Sequence, residues 1–271
     1  VRGIESGFDA IAAVNRLMSF HDRLSDVSRM NRDAFPKGVN VHPWTWQVMK
    51  ASKRFAEESQ GTFDITVAPK LTSWNYLPRC GYRFTPTASS RDIFLRRNYE
   101  VFFRRDLIVD LGGIAKGFAV DRAVDALKGN GIKCGIVNAG GDLRAFGLAS
   151  QLVHLRHPTD PTRVAGAVRL RERAMATSGI YFERRRYRND YVAPLLDGRT
   201  GQPARELISV SVAAVECMVA DALTKIVFAM REKAAPLLAR YHADALLLER
   251  NGAPSWMFYS SCDTRDRTRF D

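Results

Sequence analysis

The run Asp110-Leu111-Gly112-Gly113-Ile114-Ala115-Lys116 places a carboxylate, two glycines and an ammonium close together. An aspartate there can accept hydrogen bonds or help hold a metal. The lysine is a fixed cation. Glycines without a Cβ let backbone N–H groups approach phosphate oxygens closely. A second glycine-rich stretch, Val137 to Gly147 (VNAGGDLRAFG), follows the first. Each comes after an apolar, strand-like run, Leu107 to Val109 and Cys134 to Val137. The first opens into Ala119, Val120, Ala123, Val124 and Leu127 at helix spacing. Either glycine pair alone could be a tight turn that merely needs glycine. Two of them framing one helix, with Asp and Lys inside, point to a site for a phosphate-bearing ligand.

The elements that must position these turns read as an α+β chain. Residues 8–20 carry apolar side chains at helix spacing, and a second helix fits Pro43 to Gln60, ending at Gly61. Residues 72–100 are loosely patterned, with room for a short strand or two. Then come strand, glycine turn, helix (119–128), strand and glycine turn. Residues 152–172 alternate as a hairpin, and 207–215 form a strand. Helices over 218–230 and 234–241 precede a last strand that begins at 246–248. No repeat period appears, and no Ser/Gly/Pro linker cuts the chain, so 1–271 reads as one unit.

The chain has 271 residues, 46% of them hydrophobic, and a formal charge of +12. No apolar run reaches the roughly 18–20 residues of a membrane helix. The charge is compatible with nucleic acid, anionic lipid or a small polyanion. Arginines cluster at Arg96-Arg97, Arg104-Arg105 and Arg184-Arg185-Arg186. No zinc finger, RNP-like aromatic motif or basic heptad accompanies them, so they read as a solvated face and nucleic acid is not expected as a partner. Cys80, Cys134, Cys217 and Cys262 form no C-x-x-C pair and no zinc spacing. Cys134 and Cys217 sit in apolar runs and are expected to be buried thiols; a Cys80–Cys262 disulfide stays open.

Together the motifs resemble the ApbE family, the FAD:protein FMN transferases. DLGGIAKGFAVD and VNAGGDLRAFG carry the resemblance most specifically. GTFDITVAPKL (Gly61 to Leu71), ATSGIYF (Ala176 to Phe182), LLDGRTGQP (Leu195 to Pro203) and CMVADALTK (Cys217 to Lys225) recur in similar form and in family order. The resemblance implies a single T-fold-like α+β domain with mixed or antiparallel sheets and packed helices. It also implies an enzyme that binds FAD and magnesium, transfers FMN to a Thr or Ser hydroxyl of an acceptor protein, and releases AMP. Family habit places such enzymes in the periplasm or at the outer face of the inner membrane, with membrane-associated flavoproteins among their acceptors. An early strand with a Met-Gly-Thr turn is expected upstream of Val1.

Position by position, the resemblance puts Phe63, Asp64, Asp110, Lys116, Thr177, Ser178 and Leu195 at the flavin nucleotide, with His21 at a family aromatic position. It puts the Gly113 carbonyl, Asp221 and Thr224 at the metal. The residues themselves leave plainer readings open: Asp64 as a turn former, Thr177 as a cap, Asp221 as an i,i+4 partner of Lys225. Two departures bear on chemistry. The family hydroxyl four positions after the metal aspartate is Lys225 here, with Thr224 one residue early. The family histidine of the His-x-x-Asp stretch is Pro194, which cannot take a proton. The departures keep alive an FAD-binding relative without transferase activity, or one that hydrolyses FAD to FMN and AMP. No catalytic residue is assigned.

Overall fold

Proline at the first position and His42 before it start one of the chain's long helices, Pro43–Glu58. The His42 ring nitrogen accepts the Trp44 N–H, and Gly61 at positive φ follows the end. The computed structural model describes residues 2–157, 160, 162–180, 184–188, 190–203, 207–249 and 254–257. In order, the first half holds α1 (Arg2–Met18), α2 (Asp26–Asp33), β1 (Val39–Asn40), α3 (Pro43–Glu58), α4 (Ala68–Ser73), β2 (Ile93–Arg96), β3 (Glu100–Phe103) and α5 (Ala115–Gly129). The second half holds β4 (Gly135–Ala139), β5 (Asp142–Phe146), β6 (Gln151–Arg156), β7 (Val164–Leu170), β8 (Ala174–Gly179), β9 (Arg185–Tyr187) and β10 (Asp190–Val192). It closes with β11 (Leu207–Ala214), α6 (Cys217–Met230), α7 (Ala235–Arg240), β12 (Asp244–Glu249) and β13 (Pro254–Met257).

Six strands form the main sheet in the order β13-β12-β11-β8-β5-β4, and every described ladder is antiparallel. Strand alternation gives the sheet two apolar faces. Ala176, Val210 and Val212 belong to the large core with α5 and α6, while α1 packs on α5. Leu143, Met175, Leu246 and Leu248 form a second core with Leu155, Val168 and Leu170 of the β6–β7 hairpin. Mixed helices and antiparallel sheet in one domain agree with the α+β expectation.

Several local expectations change. Leu107–Val109 is buried but joins no ladder. The Asn31 side chain stands in for a strand partner: its amide donates to the Val109 carbonyl (3.0 Å) and its oxygen accepts the Val109 N–H (2.8 Å). Asn31 sits on α2, a short helix whose buried side mixes Val27 and Met30 with the polar Asp26, Ser28 and Asn31. The second glycine pair is a two-residue hairpin turn between β4 and β5, not a strand-to-helix turn. Gly140 and Gly141 both take positive φ, as such turns require. Thr177 and Ser178 lie on β8, so Thr177 is not a helix cap. Cys134 is exposed beside edge strand β4, whereas Cys217 is buried; Cys262 lies outside the described residues. The arginine clusters lie over rings or beside a carboxylate: Arg96 on Phe102, Arg184 on Tyr191, Arg185 on Tyr76, Arg104 and Arg105 on Asp92.

Candidate functional site

The first glycine turn sits where α5 meets α6, and two aspartates lock that junction reciprocally. A helix N-terminus leaves backbone N–H groups without intrahelical partners. Gly117 N–H, in the first turn of α5, donates to Asp221 of α6 at 3.1 Å. Cys217 and Met218 N–H, opening α6, donate to Asp121 of α5 at 2.9 Å each. Arg144 of β5 completes the junction at 2.6 Å from Asp121. The helices can approach because Gly117 has no side chain; a Cβ there would lie 2.3 Å from the Cys217 carbonyl oxygen. Asp110 N–H bonds the Ile65 carbonyl at 2.9 Å and ties the turn to the 62–67 segment.

A cleft of ≈ 890 Å³ opens from this turn along the sheet. Small-molecule sites run to roughly 300–1,000 Å³, so it suits a ligand of dinucleotide size. Its lining carries Asp110, Gly112, Gly113, Lys116 and Lys225 around the turn. The lining also includes Leu143, Val153, Met175, Leu246 and Leu248 from the second core, and the polar His154, Arg156 and Arg185. Thr177, Ser209 and Ser211 add hydroxyls to the lining, and Thr177 bonds Ser211 at 2.8 Å.

The cleft gathers Phe63, Asp64, Asp110, Gly113, Lys116, Thr177, Ser178 and Leu195 of the residues expected at a site. Phe63 lies under the turn, 3.6 Å from where a Gly113 Cβ would be. Asp64 lines the wall with its oxygens already engaged, by Thr66 (2.8 Å) and by the Ser90 hydroxyl (3.0 Å). His21 is exposed and not part of the lining, yet its charge reaches Asp110. Asp221 and Thr224 are fully buried behind the lining. Thr224 donates to the Asp221 carbonyl and meets the Ser178 hydroxyl, each at 2.7 Å. Pro194 lines the cleft too.

Four charges alternate beside the glycine turn. Lys116 bonds Asp142 at 2.9 Å, and Lys225 pairs with Asp221. Burial pushes Asp221 up, but Lys225 and then Lys116 outweigh it and hold the carboxylate below its ordinary range. Burial and the Asp221 charge raise Asp142 against the pull of both lysines. Burial works to lower Lys116, but Asp221 and Asp142 prevail and raise it. Asp142 went unassigned in the sequence; its place directly after the second glycine pair was the available signal.

Asp110 differs. Burial raises its pKa, with the Gly112 N–H and the His21 charge opposing. A carboxyl raised on folding contributes stability below its unfolded pKa of about 3.9 and loses it as pH rises through the folded value. Asp110→Asn removes the cost of charging. Its melting temperature is expected to exceed wild type at neutral pH, with the gap closing as pH falls. Parallel pH profiles for the two proteins in thermal melts would remove this role for burial.

The family follows from comparison with known proteins. The ApbE family model matches residues 3–247. The chain belongs to the ApbE family. An FAD:protein FMN transferase of Vibrio cholerae is 29% identical over 238 residues, covering 81% of this chain and 71% of that one. One from Escherichia coli K12 is 24% identical over 273 residues, covering 90% and 76%. The crystal structure of an ApbE protein from Thermotoga maritima superimposes with a TM-score of 0.84 at 28% identity, covering 94% of this chain and 88% of that one. The flavin transferase ApbE from Vibrio cholerae gives 0.78 at 25%, covering 96% and 89%.

The ApbE resemblance carries an expected divalent cation at Gly113, Asp221 and Thr224, and the donor set folded here does not fit one. Magnesium demands about six oxygens at roughly 2.0–2.1 Å in octahedral order. Of the two Asp221 oxygens, one holds the Gly117 N–H and the other the Lys225 ammonium. The Thr224 hydroxyl is turned to the Asp221 carbonyl and Ser178. Among the described residues no three His, Cys, Asp or Glu side chains gather as a metal cluster.

Proposed function

We propose that the chain is an FAD:protein FMN transferase acting on a Thr or Ser hydroxyl of an acceptor protein, with release of AMP. The observation that carries this reading is the lining of the cleft. Its apolar side chains suit rings, and the same lining holds the glycine turn with the ammonium groups of Lys116 and Lys225. The FAD pyrophosphate is a dianion, and attack by a neutral hydroxyl builds further charge that fixed donors stabilise where it develops. The hydroxyl oxygen bonds to the FMN phosphorus. The P–O bond to the AMP half breaks, and AMP leaves with the bonding pair; the hydroxyl proton balances the charge. Magnesium is not part of this reading, because the donors do not fit it. By the same resemblance, the acceptor is taken to be a membrane-associated protein outside the cytoplasm.

Mixing the purified chain with FAD and a flavin-acceptor domain tests the reading. Covalent flavin fluorescence on the acceptor, with stoichiometric AMP, is expected. Lys116→Ala loses a charge-assisted phosphate contact and leaves buried Asp142 unpaired, so FAD should bind about 10- to 100-fold more weakly; unchanged affinity would remove the role given to Lys116. Pro194 in the cleft wall favours a second reading, an FAD-binding relative without transfer. FAD retained uncleaved would establish it, and AMP without labelled acceptor would mean FAD hydrolysis instead.

A further inference from the structure

The disagreement between the donor set and a divalent ion has a positive side. Lys225 rises from the core-packed helix α6, where its neighbours Thr224 and Ile226 are fully buried. Its Cε lies 3.7 Å from the point where a Cβ on Gly113 would stand, and its ammonium bonds Asp221. Asp221 is held from the other side by the Gly117 N–H. The ammonium is therefore fixed between the glycine turn and the buried carboxylate, and Lys225 reaches the cleft surface beside Lys116. We propose that Lys225 is a built-in cation, occupying the place between Gly113 and Asp221 where a divalent ion is expected, so that a dinucleotide pyrophosphate is held without metal.

The inference rests on the flavin-dinucleotide reading and specifies how that site meets its anion. A dication cannot share the position, since it would face the Lys225 ammonium at contact distance on the same carboxylate. An ammonium supplies one charge and three donors. Asp221 can orient it while leaving donors for phosphate oxygens, and the Gly112-Gly113 backbone and Lys116 complete the cradle. Binding then does not depend on the metal content of the surroundings.

The test is binding, independent of turnover. FAD is titrated into the wild-type chain by flavin fluorescence, in excess EDTA and in millimolar Mg2+. Bound dication is counted separately by Mn2+ paramagnetic resonance, with and without FAD. Equal FAD affinity in both buffers, with no stoichiometric Mn2+, is expected. Lys225→Thr, which restores a hydroxyl, should bind FAD about tenfold or more weakly in EDTA and regain affinity with Mg2+. The wild-type titrations decide the matter even where that variant does not fold. One tightly bound Mn2+ in wild type, or FAD affinity lost in EDTA, overturns the built-in cation and leaves the flavin reading standing. A wild-type chain that binds no FAD in either buffer overturns both.

Discussion

Asp121→Ala is expected to cost about 3–5 kcal/mol of stability, the range for removing one partner from a buried ion pair. Asp121 is 3% exposed, and its oxygens serve three donors from two other elements: the Arg144 guanidinium and the Cys217 and Met218 N–H groups. Truncation leaves a guanidinium with only 16% side-chain exposure and two helix-end N–H groups without an acceptor. Water reaches such a junction poorly, so each orphaned group bears its desolvation cost. Asp121→Asn is milder, because its one carbonyl oxygen can keep part of the set. Urea unfolding of the ligand-free protein measures both. A loss below about 1 kcal/mol for the alanine variant would mean the junction hydrates or repacks freely. Loosening the start of α6 also frees Asp221 one turn further on and Lys225 two turns on, so FAD affinity should fall with stability.

Gly117→Ala is the second large effect, and it runs against helix propensity. Alanine in a helix normally gains about 1 kcal/mol over glycine. Here the new Cβ would lie 2.3 Å from the Cys217 carbonyl oxygen, 2.6 Å from its carbonyl carbon and 2.8 Å from the Met218 Cα. All three are backbone atoms of α6, so no side chain can rotate away, and α5 and α6 must part. Overpacking costs about 1–3 kcal/mol and sometimes more; with an unyielding backbone the expected net loss is about 3 kcal/mol. The Gly117 N–H would leave Asp221, and the charge array at the cleft would shift. Thermal melts and FAD titration of the variant check this. A variant as stable as wild type, with unchanged FAD affinity, would show that the helices need not touch there.

Much of the fold was legible because its signals are local. Helical spacing marked α3 and α6 nearly to their ends, alternation marked the β6–β7 hairpin and β11, and α5 begins four residues before the expected 119, taking in Lys116 and Gly117. Elements without a local signal were missed. Helix α2 has polar residues such as Asp26 and Asn31 on its buried side, and short β9, β10 and β13 earn their place only by pairing with neighbours. Leu107–Val109 looked like a strand because burial alone makes an apolar run; its partner is a side chain 78 residues away.

The site divides along the same line. Residue order alone established the glycine turn with its aspartate and lysine, the family motifs, and the unusual Lys225 and Pro194, since these are matters of which residue stands where. Only the folded chain decided that the second glycine pair is a hairpin tip, that Asp121 and Asp221 cap each other's helices, and that Lys225 sits against Gly113 on Asp221. The capping contacts span 96 and 104 residues. Spacing along the chain encodes which face a side chain takes on its own element. It does not encode which distant N–H or ammonium will meet that side chain, because such meetings follow from how closely two packed helices approach.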